Sequence, residues 1–364
     1  MTNLSLFDEQ IPNQQSYIHS NKKISSVELF AGAGGLALGL EKAGFEAVLF
    51  NEVDKYACQT LRQNRPNWHI LEQDISTVDF RPYRDKVDFL SGGFPCQAFS
   101  YAGKGEGFND IRGTMFFEFA RAIKEINPKV ILGENVKGLL NHDKGRTLAT
   151  IKQTLTELGY RVIEPKVLNA VNFRVPQKRE RIFIVGVRED LADNADFVWP
   201  TPYHRPMTMT DALKAGELFD CDVPMSDGQI YPEHKRAVLD LVPQGGCWRD
   251  LPDEVARAYM KKSYFLGGGR TGMARRLGWH EPSLTLTCSP AQNQTERCHP
   301  DETRPLRVRE YARIQTFPDD WQFAGSLSQQ YKQIGNAVPV NLAYAMGVQL
   351  RQLLLNEISR QSHA

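Results

Sequence analysis

One cysteine, Cys96, stands where a nucleophile would be placed. It follows Pro95 and the glycines Gly92 and Gly93, which end the apolar run 87–90. An apolar run that ends in glycines is typical of a buried parallel strand leading into a loop, and open α/β sheets carry their chemistry at that carboxyl edge. A cysteine taken at random is more often a small buried hydrophobic residue than a nucleophile. The functional interpretation therefore depends on the groups expected beside it.

An acid and two arginines are the groups expected near Cys96. The apolar run 130–133 leads directly to Glu134, so a carboxyl group reaches the same edge of the sheet. Arg179 and Arg181 alternate on a further predicted strand and therefore point to one face of it. On an ordinary strand two such arginines are more often solvated, so their functional interpretation depends on the residues around them. A thiol is a useful nucleophile only as the thiolate, which neighbouring cations favour. Together, these residue types suit covalent catalysis assisted by an acid.

The elements that must position these residues alternate between strand and helix. A strand at 26–30 runs into the glycine-rich turn 31–35 and then a helical pattern. Glycines there let the backbone turn tightly and approach a ligand at the positive end of a helix. Alone, this turn fits a nicotinamide-binding fingerprint equally well. With the units that follow, which include a helix at 55–64 and strands at 160–168 and 181–187, it predicts an α/β fold with a doubly wound parallel sheet.

Acidic residues follow the second and third predicted strands. Glu52 comes about twenty residues after the first glycine, where such folds place an acid on ribose hydroxyls. Asp74 ends the next strand and could accept a hydrogen bond from an adenine amino group. A helix or turn cap explains Asp74 equally well from its position alone. Both positions suit the recognition of a nucleoside.

The pattern of predicted elements and the composition change after about residue 191. Strict alternation of strands and helices stops and prolines become frequent, which predicts a domain boundary near Trp199. Residues 257–276 carry six basic side chains and no acidic one, with aromatic residues and three consecutive glycines between them. Surfaces that contact phosphates have this composition. A solvated charged face accounts for the same charges equally well.

The composition limits the classes of protein. The chain has 364 residues, of which 41% are hydrophobic and 24% charged, and a formal net charge of +1, so the total charge does not indicate a nucleic-acid or membrane partner. Six scattered cysteines without a CxxC pair, and a polar stretch at 1–23, predict a reducing, cytoplasmic setting. No run approaches the ~20 apolar residues of a spanning helix. No cysteine–histidine set has zinc-site spacing, so neither membrane insertion nor a metal is expected.

Taken in order, the motifs resemble those of the DNA cytosine-5 methyltransferase family, from about Val27 to Gly347. One departure is Val53, where many relatives carry an aromatic residue that stacks on adenine. The resemblance is carried by residues 30–35, 51–54, 74–75, 95–97, 134–136, Gln177-x-Arg179-x-Arg181, 309–318 and 335–339.

The resemblance implies a Rossmann-like, S-adenosylmethionine-dependent methyltransferase sheet with a smaller, irregular target-recognition domain. The implied order along the chain is an irregular arm over 1–23, a catalytic and cofactor-binding domain over 24–198, a recognition domain over 199–325, and a C-terminal segment over 326–364 that returns to the catalytic domain.

The resemblance also implies an activity and its residues. A methyl group would pass from S-adenosylmethionine to carbon 5 of a flipped-out cytosine in a specific double-stranded DNA sequence, through a covalent Cys96 adduct and without a metal. The implied catalytic residues are Cys96, Glu134, Arg179 and Arg181. The implied cofactor-binding residues are Phe30, Ala31, Gly32, Gly34, Gly35, Leu36, Glu52, Val53, Asp74, Ile75, Pro95 and Asn336. The implied DNA-binding residues are Gln97, Ser100, Arg112, Arg270, Arg275, Arg276, Thr285 and Leu286.

We expect a monomer that protects host DNA from a partner restriction endonuclease without forming a stable complex with it. Four alternatives remain open at this point: an RNA cytosine-5 methyltransferase, a solitary DNA methylase, a DNA-binding repressor that has kept the fold without activity, and a nicotinamide oxidoreductase. The basic segment before Cys288 favours duplex DNA. Intact Cys96 and Glu134 argue against an inactive protein, and the oxidoreductase gives these residues no joint role.

Overall fold

The structure, a computed structural model, describes residues 23–95, 115–192, 196–266, 272–292 and 295–361. Every helix in these ranges is too short or too polar to cross a lipid bilayer. Across the same ranges, no cluster of three or more His, Cys, Asp or Glu side chains is arranged to hold a metal ion.

Within the described chain, eight strands form a mixed central sheet. The strands are β1 (Ile24–Leu29), β2 (Phe45–Glu52), β3 (Ile70–Glu72), β4 (Phe89–Gly92), β5 (Val130–Val136), β6 (Tyr160–Val162), β7 (Lys166–Asn169) and, after the short β8 (Gln177–Lys178), β9 (Glu180–Arg188). Their order is β3-β2-β1-β4-β5-β9-β6, with β7 also paired to β9. A separate two-stranded sheet joins β8 to β10 (Ser283–Leu284) in parallel.

The predicted α/β, doubly wound sheet is confirmed, with one difference in strand direction. Strands β1 to β5 are parallel to one another, but β9 runs antiparallel to β5, β6 and β7. Only residues 170–179 connect β7 to β9, fewer than the roughly dozen that a crossover between parallel strands needs. The reversed direction of β9 places Arg181 opposite Val136, two residues from Glu134 on β5.

Helices cover both faces of the sheet. One face packs against the helices Gly35–Lys42 and Val340–Gln361 around Leu36, Leu40 and Met346, and the other packs against the helices Met115–Ile126 and Arg146–Glu157 around Phe119 and Ile151. The helices are α1 (Gly35–Lys42), α2 (Lys55–Asn64), α3 (Met115–Ile126), α4 (Arg146–Glu157), α5 (Glu189–Ala192), α6 (Met209–Leu213), α7 (Glu233–Asp240), α8 (Asp253–Met260), α9 (Val308–Ile314), α10 (Leu327–Asn336) and α11 (Val340–Gln361).

Two glycines let α11 and the turn before it approach α1 closely. A Cβ atom at Gly39 would lie 2.3 Å from Cβ of Ala343, and one at Gly35 would lie 2.2 Å from the carbonyl oxygen of Val338. Contacts this short leave no room for a side chain, so glycine is required at both positions. The end of the chain therefore packs directly on the helix that follows the glycine-rich turn.

A further hydrophobic core runs between the sheet and the later part of the chain. It contains Phe50 and Leu61 from the first strands and helices together with Tyr311, Trp321 and Ile334. The indole Nε1 of Trp321 donates a 3.2 Å hydrogen bond to the carbonyl of Ala33 in the glycine-rich turn. The predicted domain limit at residue 325 remains a prediction, and one continuous core lies across it.

A buried acid in β1 makes stability depend on pH. Burial raises the pKa of Glu28 from 4.5 to about 8, although a hydrogen bond from the Ala37 N–H lowers it in part. As pH rises above 4.5, the unfolded chain loses this proton before the folded protein does, so the free energy of unfolding falls until the folded carboxyl ionises near pH 8. Above pH 8 we expect the free energy of unfolding of Glu28→Gln to exceed that of wild type by roughly 1–3 kcal/mol, so the variant should have a higher urea midpoint. At pH 4 the two proteins should differ little. Equal midpoints at pH 9 would contradict this.

Candidate active site

A buried carboxyl group and an arginine form an ion pair at the carboxyl edge of the sheet. Glu134 is 8% exposed on β5, and Phe183 on β9 lies directly opposite it. Arg181 is two residues from Phe183 on the same strand, and its Nε lies 2.9 Å from Oε1 of Glu134. The Arg181 NH1 group also donates a 2.8 Å hydrogen bond to the carbonyl of Glu180. The antiparallel direction of β9 thus brings the cation to the acid.

The electrostatics of this pair favour an acid that can hold a proton. Burial raises the pKa of Glu134, and the nearby charges of Arg181 and Arg179 oppose that shift. Desolvation lowers the pKa of both guanidinium groups, but a guanidinium stays protonated at neutral pH. A protonated carboxyl beside fixed positive charge can donate a hydrogen bond or a proton to a group that is gaining negative charge.

The end of β4 passes next to this pair. A Cβ atom at Gly93 would lie 3.1 Å from Oε2 of Glu134, and the carbonyl of Phe94 accepts a 2.8 Å hydrogen bond from the side-chain amide of Asn135. Pro95 follows and is exposed. The chain that leads to Cys96 therefore leaves the sheet alongside Glu134. Cys96 itself lies outside the described residues, as do Gln97, Ser100, Arg112 and Arg270.

Arg179 lies near the pair but has main-chain partners. It is 1% exposed, and its NH1 group donates to the carbonyl of Leu286 at 3.2 Å. Its NH2 group donates to the carbonyls of Gly335 at 2.9 Å and Asn336 at 3.3 Å. In this arrangement both terminal NH groups bind protein, so contact of Arg179 with a base or phosphate remains a prediction.

The turn between β1 and α1 has the backbone conformation that its glycines predict. Gly32 and Gly34 have φ angles of 54° and 86°, and even Phe30 adopts a φ of 57°. A Cβ atom at Gly34 would lie 2.8 Å from Cδ2 of Leu61, whereas one at Gly32 would meet nothing within 4 Å. Gly34 is therefore needed for packing, and Gly32 borders open space that a ligand can enter. The neighbouring Ala31, Gly35 and Leu36 are buried.

A carboxylate lies against this turn. Oε2 of Glu52 accepts a 2.8 Å hydrogen bond from the Gly32 N–H. Its other oxygen accepts 2.8 Å bonds from the N–H groups of Val53 and Asp54. The apolar side chain of Val53 is 67% exposed beside it. Open space at a glycine turn, beside a carboxylate that can accept hydrogen bonds from ribose hydroxyls, fits a nucleoside.

Asp74 is a cap in this structure. Its Oδ1 accepts hydrogen bonds of 2.9 Å from the N–H of Ser76 and 2.7 Å from its hydroxyl. These bonds lower the pKa of Asp74, and they begin a single 3₁₀ turn that buries Ile75. The cap is therefore realised, while a hydrogen bond to adenine remains a prediction.

The four predicted DNA-binding residues that the structure describes, Arg275, Arg276, Thr285 and Leu286, do not form one surface. Thr285 is exposed, and its hydroxyl donates to the carbonyl of Lys178 at 2.6 Å, while Leu286 is 1% exposed. Arg275 forms a 2.5 Å ion pair with Glu281. Among these residues, only Thr285 is placed so that DNA can reach it without rearrangement of the protein.

Arg276 is buried and links two parts of the chain, residues 239–242 and 299–303, through hydrogen bonds. It is 6% exposed, and its guanidinium donates to the carbonyls of Leu239, Val242 and His299 and to the hydroxyl of Thr303. These partners would be left unsatisfied if Arg276 moved to a DNA groove. The structure therefore does not support the expectation that Arg276 contacts base edges.

Gly335 lies directly against residues 285–290, the predicted recognition element, which begins with the implied DNA contacts Thr285 and Leu286. A Cβ atom there would lie 2.2 Å from the carbonyl oxygen of Thr287, so the element rests directly on the C-terminus of α10. We expect Gly335→Ala to push the element away, to lower the free energy of unfolding by about 1–3 kcal/mol and to weaken DNA binding in an anisotropy titration. The control is Gly216→Ala, where an added Cβ meets nothing within 4 Å. Equal DNA affinities for the two variants would contradict this expectation.

The sequence interpretation missed two residues that support the site, Trp321 and Asn135. Trp321 binds the glycine-rich turn from 288 residues away along the chain, and no local pattern could indicate that contact. Asn135 was named only as part of a motif, although its side chain fixes the residue before Pro95.

Comparison with known proteins decides the family. The family model for C-5 cytosine-specific DNA methylases matches residues 24–352. The chain belongs to this family. The predicted resemblance and the predicted enzyme class, a DNA cytosine-5 methyltransferase, are thereby confirmed, and the nicotinamide oxidoreductase alternative is wrong.

Relatives and solved structures of this methylase family agree with the assignment. The type II methyltransferase M.Eco47II of Escherichia coli is 64% identical over 349 residues, which cover 96% of this chain and 83% of that protein. M.Sau96I of Staphylococcus aureus is 50% identical over 92% of this chain and 77% of its own. A solved structure of a proposed DNA modification methyltransferase from an E. coli prophage has a TM-score of 0.64 at 23% identity, over 91% of this chain and 99% of its own. That likeness supports the fold.

Proposed function

We propose that this methyltransferase transfers a methyl group from S-adenosylmethionine to carbon 5 of a flipped-out cytosine within a specific duplex DNA sequence. The observation that carries the proposal is the Glu134–Arg181 pair, with Nε and Oε1 2.9 Å apart. It lies against Gly93, where the chain leaves the sheet toward Cys96. The acid, the cation and the end of the strand that leads to Cys96 thus share one edge of the sheet.

Covalent addition by Cys96 begins the chemistry. Carbon 5 of cytosine is a poor nucleophile until the Cys96 thiolate forms a bond to carbon 6, which moves electron density toward ring nitrogen 3. Protonated Glu134 donates to that nitrogen, and Arg181 holds Glu134 and offers positive charge to the base oxygen. The raised pKa of Glu134 supports this role, because burial keeps the proton available.

Methyl transfer and release complete the cycle. Bound S-adenosylmethionine supplies an electrophilic methyl group on a sulfonium sulfur. Carbon 5 of the adduct would take up that methyl as the bond between the methyl and the sulfonium sulfur breaks and the neutral thioether, S-adenosylhomocysteine, is left. A base would then remove the carbon 5 proton, and the electrons of that bond would re-form the carbon 5–carbon 6 double bond and expel the Cys96 sulfur from carbon 6. Cys96 leaves as thiolate, ready for another turnover.

We infer that the open space beside Gly32 and the carboxylate of Glu52 hold the cofactor. Oε2 of Glu52 accepts a 2.8 Å hydrogen bond from the Gly32 N–H in this structure, and a ribose hydroxyl of the cofactor would replace that donor. The exposed Val53 offers an apolar contact to the adenine in place of an aromatic ring. The other residues proposed to bind the cofactor are Phe30, Ala31, Gly34, Gly35, Leu36, Asp74, Ile75, Pro95 and Asn336.

The cytosine must leave the duplex to reach these groups, at a cost of a few kcal/mol. We propose that residues 257–297 position the DNA and select its sequence, with Lys261 on phosphate and Arg275 near base edges. Lys261 is exposed. Arg275 would break its ion pair with Glu281 to bind DNA. Gln97, Ser100, Arg112, Arg270 and Thr285 stay among the proposed DNA contacts, and Leu286, which is 1% exposed, would contact DNA only after a rearrangement that uncovers it.

The named relatives suggest the biological setting. M.Eco47II and M.Sau96I are both called type II methyltransferases. We infer that this chain likewise acts as a monomer that modifies host DNA, while a separate restriction endonuclease cleaves unmodified DNA.

Bisulfite sequencing of plasmid DNA tests the proposed function. The plasmid is taken from cells that lack other cytosine-5 methylases and express the wild-type chain. We expect cytosines to be protected at one position of one short duplex sequence and nowhere else. Protection confined to cellular RNA would favour the RNA methyltransferase alternative, and the absence of protected cytosines in DNA would contradict the proposal.

A further inference from the structure

A short parallel strand joins the predicted recognition element to the strand that precedes Arg181. We define the recognition segment as residues 283–288. Its first part, β10, pairs with β8 so that Ser283 faces Gln177 and Leu284 faces Lys178. The hydroxyl of Thr285 then donates to the carbonyl of Lys178 at 2.6 Å. The segment is therefore held in a fixed register against the chain that continues into the active site.

Side chains bind both main-chain polar groups of Leu286. Its N–H donates to Oε1 of Gln177 at 2.8 Å, and its carbonyl accepts from NH1 of Arg179 at 3.2 Å. Leu286 is 1% exposed, so water is a poor substitute for either partner. Two residues of the catalytic side thus fix the position and orientation of the recognition segment at Leu286.

A second buried glutamine extends this contact. Nε2 of Gln177 donates to Oε1 of Gln315 at 2.8 Å. Nε2 of Gln315 in turn donates to the carbonyls of Ile334 at 2.8 Å and Ala337 at 3.2 Å. Both glutamine side chains belong to fully buried residues. Hydrogen bonds in such a chain polarise one another, so the loss of one weakens the rest.

The chain of hydrogen bonds ends on the last turn of α10. Gln315 binds the carbonyls of residues 334 and 337, and Arg179 binds those of residues 335 and 336. The last carbonyls of a helix lack partners within the helix, and positive charge is favoured beside them. This turn also carries Asn336, which the proposed function places at the cofactor.

We propose that Gln315 is a positioning residue for sequence fidelity, which rests on the proposed function. Gln315 holds the recognition segment through Gln177, and it holds the turn that carries Asn336 through the carbonyls of Ile334 and Ala337. The residues that select the DNA sequence and those proposed to bind the base and the cofactor thus form one rigid unit. Without Gln315 the segment can shift relative to the Glu134–Arg181 pair. The loss of Gln315 then slows the reaction of the correct duplex more than that of duplexes with one altered base pair, so the enzyme discriminates between them less well.

A matched pair of variants separates this role from a purely structural one. Gln315→Met keeps the length of the side chain and removes its three hydrogen bonds. The control is Gln333→Met on α10, since Gln333 is also buried and binds the hydroxyl of Thr60 at 2.6 Å and the carbonyl of Ala324 at 2.9 Å. Neither of those partners belongs to the recognition segment.

The measurement is kcat/KM on a duplex that carries the wild-type target sequence and on duplexes with one base pair changed. We expect Gln315→Met to lower the ratio of kcat/KM on the correct duplex to kcat/KM on the altered duplexes about tenfold, a coupling of the size found between contacting residues. The dissociation constant for S-adenosylmethionine should stay within about twofold, because Arg179 still binds the carbonyls of Gly335 and Asn336. Gln333→Met should lower the melting temperature and leave the ratio unchanged. Gln315→Glu, which still accepts from Gln177 but no longer donates, is the second variant and should lower the ratio in the same direction.

An unchanged ratio in a folded, cofactor-binding Gln315→Met protein would overturn the inference, and so would an equal loss in Gln333→Met. If the variant turns over too slowly, the ratio of dissociation constants for the two duplexes replaces the kinetic ratio, with the same expected change. A wild-type protein that modifies no cytosine in duplex DNA would refute the proposed function instead, and the binding ratio would still test the role of Gln315.

Discussion

Replacing Cys96 with alanine is expected to abolish methyl transfer while DNA and cofactor binding stay close to wild type. In the proposed mechanism the thiolate forms the covalent bond that activates carbon 5, and an alanine side chain has no nucleophilic atom to form it. The side chain adds little contact area to either ligand, so affinities should hardly change. Tritium transfer from labelled S-adenosylmethionine to duplex DNA measures the activity, and equilibrium titrations measure the two affinities.

Cys221→Ser is the matched control for Cys96→Ala. Cys221 is exposed, and its sulfur accepts a 3.5 Å hydrogen bond from Arg313, which a serine hydroxyl can also accept. This variant should keep full activity. More than a small residue of transfer in a folded Cys96→Ala protein would rule out Cys96 as the nucleophile.

Glu134→Gln is expected to slow methyl transfer by ~10²–10⁴-fold, as is usual when acid-base catalysis is lost. The amide keeps the shape of the carboxyl but cannot protonate ring nitrogen 3. Burial raises the pKa of Glu134, so the wild-type rate should fall as pH rises through that raised pKa and the active, protonated form disappears. The glutamine variant should lack this fall in a pH–rate profile.

Glu180→Gln provides the control for the loss of a carboxylate at the same edge of the sheet. Glu180 pairs with Lys137 at 2.9 Å, and its side chain is 42% exposed, so its removal should leave the rate and its pH dependence nearly unchanged. If Glu134→Gln instead weakened cofactor binding as much as it slowed transfer, Glu134 would have a structural or cofactor-binding role.

The sequence predicted the elements best where local signals were complete. The helix predicted at 55–64 has the observed bounds Lys55–Asn64, because Asp54 precedes it and caps two of its first N–H groups. The single strand predicted at 160–168 is wrong, since residues 163–165 separate β6 from β7. Pro165 lies at this break and has no N–H for a sheet hydrogen bond.

The sequence located the candidate site but not the partners of its arginines. Alternation at Arg179 and Arg181 indicated a shared face, and the charges of both act on Glu134. No local pattern could show that Arg179 binds carbonyls 107 and 156 residues further along the chain. Arg276 posed the same difficulty, because composition does not distinguish a guanidinium that binds buried carbonyls from one that faces DNA.

The most direct test of the central claim, covalent catalysis by Cys96 at cytosine carbon 6, is trapping with 5-fluorocytosine. Duplex DNA that carries this base at the methylated position is incubated with protein and S-adenosylmethionine, then separated on a denaturing gel. Fluorine cannot leave carbon 5 as a proton does, so the wild-type protein should form a denaturant-stable adduct with the DNA and Cys96→Ala should form none. Absence of the adduct with active wild-type enzyme, or an equal adduct with Cys96→Ala, would contradict the account.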